Sequence, residues 1–210
     1  MEIAIDSEQT IICNYSRCEL DFFFIDELGG YNPKLKKYTP EHQVVTKLRQ
    51  LLSHFFPFFS AVQIHSSGVI RNGKAALFLG PSSSGKTTVV NLSKGDPVLS
   101  DDQVVLRKED KEIIAHSSPM GTITSGPCQA RLGGLFLIEK ADHFELSPLN
   151  PKIILPQLWT AQSNYSNMTP KDLRAEAFKT LYDACIQAGI YRMRFSKDYV
   201  DWDAIDRAME

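Results

Sequence analysis

The residues best equipped for chemistry fall between positions 80 and 102. Gly80-Pro81-Ser82-Ser83-Ser84-Gly85-Lys86-Thr87 fills every defined position of the pattern G-x-x-x-x-G-K-[ST], with an apolar run before it and a helix-forming run after it. In such a turn Gly80 and Gly85 permit the backbone angles that aim the amide N–H groups of Ser82, Ser83, Ser84 and their neighbours at one anion. A helix starting at its end adds a positive dipole end. Lys86 has the reach for the β and γ phosphates of a nucleoside triphosphate. Thr87 offers a hydroxyl to Mg²⁺, and Thr88 a hydrogen bond to a phosphate further back. ATP with Mg²⁺ is therefore the expected ligand. The bland alternative is a Gly/Ser surface loop with an exposed lysine.

Carboxylates follow almost at once. VLSDD puts Asp101 and Asp102 at the end of a short apolar run, where Asp102 could join Thr87 on the metal and the other aspartate could take a proton from an attacking hydroxyl. Which of the two serves which role stays open. A turn that spends its aspartates on its own backbone is the structural alternative. His65 lies on the strand leading into an Asn72-Gly73 turn, which folds that strand back beside the one ending at Gly80. Arg131 is expected to add a phosphate contact, because a guanidinium stabilises charge spread over transferring oxygens. Arg192 and Arg194, sharing one face of a strand, are further candidates.

These residues need a scaffold, and periodicity supplies one. The N-terminal stretch reads as a strand pair, IAIDSEQTIICNY and CELDFFFI, followed by the loop GGYNPKLKKYTP. From Glu41 to about Phe56, apolar residues recur at three and four, as in a helix with one buried face, and Pro57 is expected to end it. Asn72-Gly73 predicts a type I′ hairpin between GVIR and KAALFL. KTTVVNLSKG reads as a short helix stopped at Gly95. DPVLSDDQVVL and IIA form a second hairpin around the charged turn RKEDKE, and RLGGLFLIEK and HFELSPL read as strands. NPKIILPQLW is a helix interrupted by Pro156. Thr169 and Pro170 open a longer helix that Gly189 closes. A strand, IYRMRF, and an amphipathic tail, DWDAIDRAME, follow. The segment 117 to 131, SSPMGTITSGPCQAR, is expected at the mouth of the site as a lid.

Composition narrows the function classes. With 23 basic against 25 acidic residues in 210 and a formal charge of −2, no general field favours nucleic acid or an anionic membrane, so neither is an expected partner. LLSHFFPFFSAV is too short to span a bilayer, and MEIAIDSEQT lacks the form of a signal peptide. A cytoplasmic location is expected. Cys13, Cys18, Cys128 and Cys185 contain no C-x-x-C pair and suit reduced thiols.

HSSGVIRNGKAALFLGPSSSGKTTVV followed by VLSDD resembles the HPr kinase/phosphorylase family, whose nucleotide site is similar to that of phosphoenolpyruvate carboxykinase. The resemblance covers about residues 63 to 140. It implies a turn that holds a nucleotide or pyrophosphate, one aspartate acting as acid/base toward a serine hydroxyl, and a second that helps with metal. By position it assigns His65, Lys86, Thr87, Asp101 and Asp102. Compact members of the wider group, some linked to modification of ribosomally made peptides, are similar at SSPMGT and RLGGLFLIEK. The N-terminal part does not resemble the separate domain of full-length HPr kinases, nor is their Gly-rich segment beyond the P-loop domain found, so HPr itself is not the expected substrate.

The sequence thus predicts an α/β fold with a mixed β-sheet and flanking helices. Residues 1–60 form accessory strands and a helix, and residues 61–210 a P-loop domain of HPr kinase-like type. The expected activity is transfer of phosphate from ATP to a hydroxyl-bearing acceptor: a peptide, a protein or a small molecule. A non-catalytic nucleotide-binding module is the rival, and the reverse reaction or pyrophosphate as donor a third reading. Oligomeric state is open, a homo-oligomer included.

Overall fold

The structure, a computed structural model, describes residues 2–6, 9–14, 19–23, 52–118, 121–162 and 171–210. Strands β1 (Glu2–Asp6), β2 (Gln9–Asn14) and β3 (Glu19–Phe23) form an antiparallel three-stranded sheet. The stretch read above as one strand therefore folds back on itself, because the polar run between Asp6 and Gln9 breaks its apolar alternation. Most of the helix expected from Glu41 lies outside the described residues, as do Thr169 and Pro170. Its last turn is present at residues 52–55. The α-helix stops at Phe55, just before Pro57 as expected, and the chain tightens into a 3₁₀ turn, Phe56–Phe59, whose first turn accommodates the proline and which stops at the left-handed Ser60.

The remaining strands build one mixed sheet of eight. β4 (Ala61–Arg71) and β5 (Lys74–Leu79) make the predicted hairpin, with φ of 49° at Asn72 and 74° at Gly73, as a type I′ turn requires. β6 (Val98–Ser100) and β7 (Gln103–Glu109) both pair with β4, and β8 (Glu112–His116) returns antiparallel to β7. β9 (Gln129–Lys140) lies parallel between β5 and β11 (Ile190–Phe195), and β10 (Glu145–Leu149) closes that edge antiparallel. The sheet curls far enough for β8 to pair with the start of β9 as well.

Helices cover both faces, as the alternation along each strand demands. α1 (Lys86–Leu92) and α4 (Trp202–Ala208) flank one core layer, where Val89, Val90 and Ile205 cluster with Phe78, Phe136, Met193 and Phe195. Phe78 and Phe136 stack with centroids 5.5 Å apart, and truncating either would cost about 3–5 kcal/mol. α2 (Pro151–Gln162) and α3 (Lys171–Gln187) serve the other layer with Ile64, Leu77, Leu79, Val104 and Leu135. Pro156 does not interrupt α2: it is exposed, and the carbonyl it leaves unpaired belongs to exposed Lys152, where water can reach it. Among the described residues no helix is long and apolar enough to cross a membrane.

Candidate functional site

β5 runs buried into Gly80, and the chain turns at once into α1, so the turn stands at the C-terminal end of the parallel strands, the usual place for ligands in α/β sheets. The two glycines have separate reasons to be there. A Cβ at Gly80 would stand 2.5 Å from Ser84 Oγ, and Gly85 has a φ of 109° with Phe195 directly behind it. Inside the turn the Ser84 N–H donates to the Pro81 carbonyl at 3.2 Å, and Ser83 takes a left-handed φ of 65°. The buried Ser67 hydroxyl of β4 donates to the Lys86 carbonyl at 3.1 Å and fixes where α1 begins.

Lys86 is not the exposed lysine of the bland alternative. It is 7% exposed, and its ammonium donates to the carbonyls of Gly80 at 2.8 Å and Pro81 at 3.0 Å, curled over the turn. Burial lowers its pKa from the usual lysine value, and the charge of Asp102 opposes that shift. Thr87 and Thr88 follow on the first turn of α1, Thr87 exposed and Thr88 half-buried. Among the described residues the Ser84 hydroxyl is buried without a partner.

The aspartate pair divides. Asp101 is buried; one oxygen accepts from the N–H groups of Thr122 at 2.7 Å and Ile123 at 3.0 Å, the other from the Thr122 hydroxyl at 2.8 Å. Its carboxylate is spent on holding the loop after residue 120 against the end of β6, the turn-type use that sequence alone left open. Asp102 faces the other way and sets Oδ1 3.0 Å from His65 Nδ1, both side chains about 30% exposed. Gln103 Nε2 also lies 3.2 Å from that nitrogen. Nδ1 cannot accept from an amide and donate to a carboxylate together, so an ionised Asp102 selects the Nδ1–H tautomer, with the Gln103 amide turned to present its oxygen.

The expected lid is fastened. The Ser125 N–H donates to the Val98 carbonyl at 2.9 Å, Ser125 Oγ accepts from the Val98 N–H at 2.8 Å, and the Thr124 hydroxyl donates to the Leu99 carbonyl at 3.3 Å. Residues 122–128 are therefore tied to β6 and its end, residues 129–131 already belong to β9, and residues 119 and 120 lie outside the described residues.

Arg131 is not brought to this site. It pairs in register with Lys74 at the start of β5, five residues or about 16 Å from Leu79 at a ~3.3 Å rise. Its guanidinium meets Glu112 at 3.3 Å instead. The expected phosphate contact is corrected for a plain reason: β9 is long and Arg131 lies near its start. Arg192 and Arg194 do stand at the turn's end of the sheet, since Arg192 aligns with Leu137 and Leu137 with Leu79. Both are paired with Glu139 at 3.3 Å. They share the face of Leu79, whereas α1 covers the opposite face.

Sequence reasoning missed Gln63, buried on β4 with its amide unpartnered among the described residues. A signal was present: Gln63, His65 and Ser67 recur with period two, a polar stripe along an otherwise apolar strand.

No family model matches the chain, and no curated protein matches its sequence. Among solved structures it is similar to the HPr(Ser) kinase/phosphatase from Coxiella burnetii, at a TM-score of 0.34 and 9% identity, over 70% of this chain and 91% of that one.

Proposed function

We propose that this chain is a kinase of HPr kinase-like type, transferring phosphate from ATP to a hydroxyl acceptor with Mg²⁺ as cofactor. The observation that carries the proposal is one arrangement: a buried lysine curled over a Gly-bounded turn, with a carboxylate–imidazole pair at the same end of the sheet and close enough to oppose the lysine's loss of charge. The residues fit the ligands. Gly80 to Thr88 would hold the phosphates, with Ser84 Oγ a buried polar group still lacking a partner, and Thr87 with Asp102 would hold the metal. Mg²⁺ takes few protein ligands in such sites and supplies neutralisation of the phosphate oxygens.

In the reaction the acceptor oxygen bonds to the γ-phosphorus as the bond to the β–γ bridging oxygen breaks, and ADP leaves. The hydroxyl proton passes to Asp102, whose orientation His65 fixes. Lys86 stays charged against the phosphates throughout. Transfer of label from γ-labelled ATP to an added acceptor tests the reading, with Asp102→Asn as the control expected to bind nucleotide and to transfer about 10²-fold less or lower still.

The non-catalytic module keeps one specific point in its favour. Asp101 is occupied by the loop, so Asp102 must serve both the metal and the proton. Should wild-type protein bind Mg·ATP and transfer no label to any acceptor, the module is the better description.

A further inference from the structure

A bound nucleoside triphosphate has two ends, and the turn with its His65–Asp102 pair meets only one of them. That pair stands at β4 and the start of β7, on one side of β5. With the γ-phosphate turned toward Asp102, the nucleoside end must cross β5 to the other side, where the strand order is β9, β11, β10. β9 and β11 run parallel to β5, so their C-terminal ends open at the same end of the sheet as the phosphate turn. They also reach further. Leu79 aligns with Leu137, but β9 continues to Lys140 beside Phe195 of β11, three residues or about 10 Å higher at a ~3.3 Å rise. A Cβ at Gly85 would meet the Phe195 ring at 2.7 Å, so the end of the turn lies against the last residue of β11. The loops that follow, 141–144 and 196–201, therefore stand as a wall beside whatever the turn holds.

That wall carries an aromatic face. Tyr199 is 57% exposed, yet its loop is closed tightly by a bridge to Ser196, with the Tyr199 N–H 3.5 Å from the Ser196 carbonyl. Phe144 of the neighbouring loop meets its ring at 81°, centroids 6.4 Å apart. Whichever of the two rings presents its edge, at least one face of Tyr199 is left uncovered by Phe144. Two residues on, Asp201 caps α4 by accepting from the Ala204 N–H at 3.0 Å. An exposed tyrosine is ordinary by itself; this one is braced by its own loop and by a second ring, at the ligand end of a parallel sheet. We propose that Tyr199 stacks on the base of the bound nucleotide, an inference that rests on the reading of Gly80 to Thr88 as a phosphate site. From β4 to β11 is three strand spacings, about 14 Å at ~4.8 Å each, a gap that an extended nucleoside triphosphate spans from Asp102 to Tyr199. A nucleobase presents a flat π face, and tyrosine meets it with a rigid ring and few rotatable bonds to freeze.

Calorimetry on the full-length protein with two probes separates base from phosphates: Mg·ATP, and the magnesium complex of methyl triphosphate, which carries the same charge and no nucleoside. Wild type should bind ATP more tightly than methyl triphosphate. Tyr199→Ala and Tyr199→Leu should each weaken ATP about tenfold, the scale of one aromatic–base stack, and leave methyl triphosphate within about twofold. Tyr199→Trp, which keeps a π face, should bind ATP as wild type does. Folded Tyr199→Ala and Tyr199→Leu with wild-type affinity for ATP overturn the inference. An equal loss for both probes overturns it as well and makes Tyr199 a prop of the turn. Wild type that binds the two probes equally overturns it while leaving the phosphate site intact; wild type that binds neither sinks the phosphate-site reading, and this inference with it. Should Tyr199→Ala melt below the temperature of the titration, Tyr199→Leu, which keeps an apolar contact for Phe144, carries the same expected and contrary results.

Discussion

At the closed end of the β4–β5 hairpin, Arg71 donates to both oxygens of Asp206, at 2.8 and 2.7 Å, and to Asp96 at 2.6 Å, with its guanidinium 4.8 Å from the Trp202 ring centre. At the open end of the same hairpin, Lys86 is buried against two carbonyls, its charge disfavoured by desolvation. The contrast extends beyond the two cations. Among the described residues, the buried side-chain polar atoms without a partner belong to Gln63, Ser66, Ser84 and Gln103, all near His65 or in the turn. One end ties α4 and the α1–β6 connection to the sheet through the ion pairs of Arg71 with Asp206 and Asp96. The other end holds polar groups that a bound ligand would complete. Satisfied networks stabilise a fold, and unmet polar groups concentrate where function resides.

The largest effect that sharpens this contrast is expected at Asp102. Asp102→Asn should lower labelled-phosphate transfer about 10²-fold or more, the scale of general acid–base help, while leaving nucleotide bound. Asp101→Asn should act differently: it weakens the hold on Thr122, lowers the melting temperature, and affects transfer only as far as the loop shifts. Equal loss of transfer in both, with stability unchanged in both, would erase the division between the two aspartates.

Next comes Arg71. Its side chain is 18% exposed, so Arg71→Met should cost somewhat less than the 3–5 kcal/mol typical of breaking a fully buried ion pair, about 2–3 kcal/mol by urea unfolding. Mg·ATP affinity should be untouched. A stability within error of wild type would break the comparison from its structural side.

How far the sequence foretold all this differs between the same two ends. The hairpin, the Gly-bounded turn between β5 and α1 and the mixed sheet were legible because each rests on local chemistry: Asn72-Gly73 needs positive φ, the glycines of the turn need close approach, and apolar alternation marks the strands. The partners of Asp101, the distance of Arg131 from the turn and the Arg71–Asp206 pair were not legible. They depend on contacts and strand register across twenty or more residues of intervening chain, and in the last case on residues 135 positions apart. Pro156 misled for a related reason. A proline breaks a helix only where the hydrogen bond it removes cannot be replaced, and near a helix start or at a wet surface it can.

A smaller effect follows from the lowered pKa of Lys86. Below that pKa the ammonium is charged and the turn attracts phosphate; as pH rises through it, affinity for Mg·ATP should fall, earlier than an ordinary lysine near 10.5 would allow. Asp102 favours the charged form, so Asp102→Asn should move the fall to lower pH. Calorimetric titrations from pH 7 upward check this, and a fall that stays in place would remove Asp102 from Lys86's surroundings.

The smallest effect is at the cysteines. Burial pushes the Cys185 thiol up to about 12, whereas Cys128 is half-buried. In the native protein a maleimide should label Cys128 well before Cys185, and rapid labelling of Cys185 would mean that the α3 layer opens readily.

The most direct measurement titrates Mg·ATP into Lys86→Ala and Arg71→Met side by side, with a thermal melt of each. Lys86→Ala should lose the binding heat and keep, or slightly raise, its melting temperature, because the change removes a desolvated charge; Arg71→Met should melt early and bind as wild type does. Wild-type affinity in folded Lys86→Ala would contradict the assignment of this turn as a phosphate site.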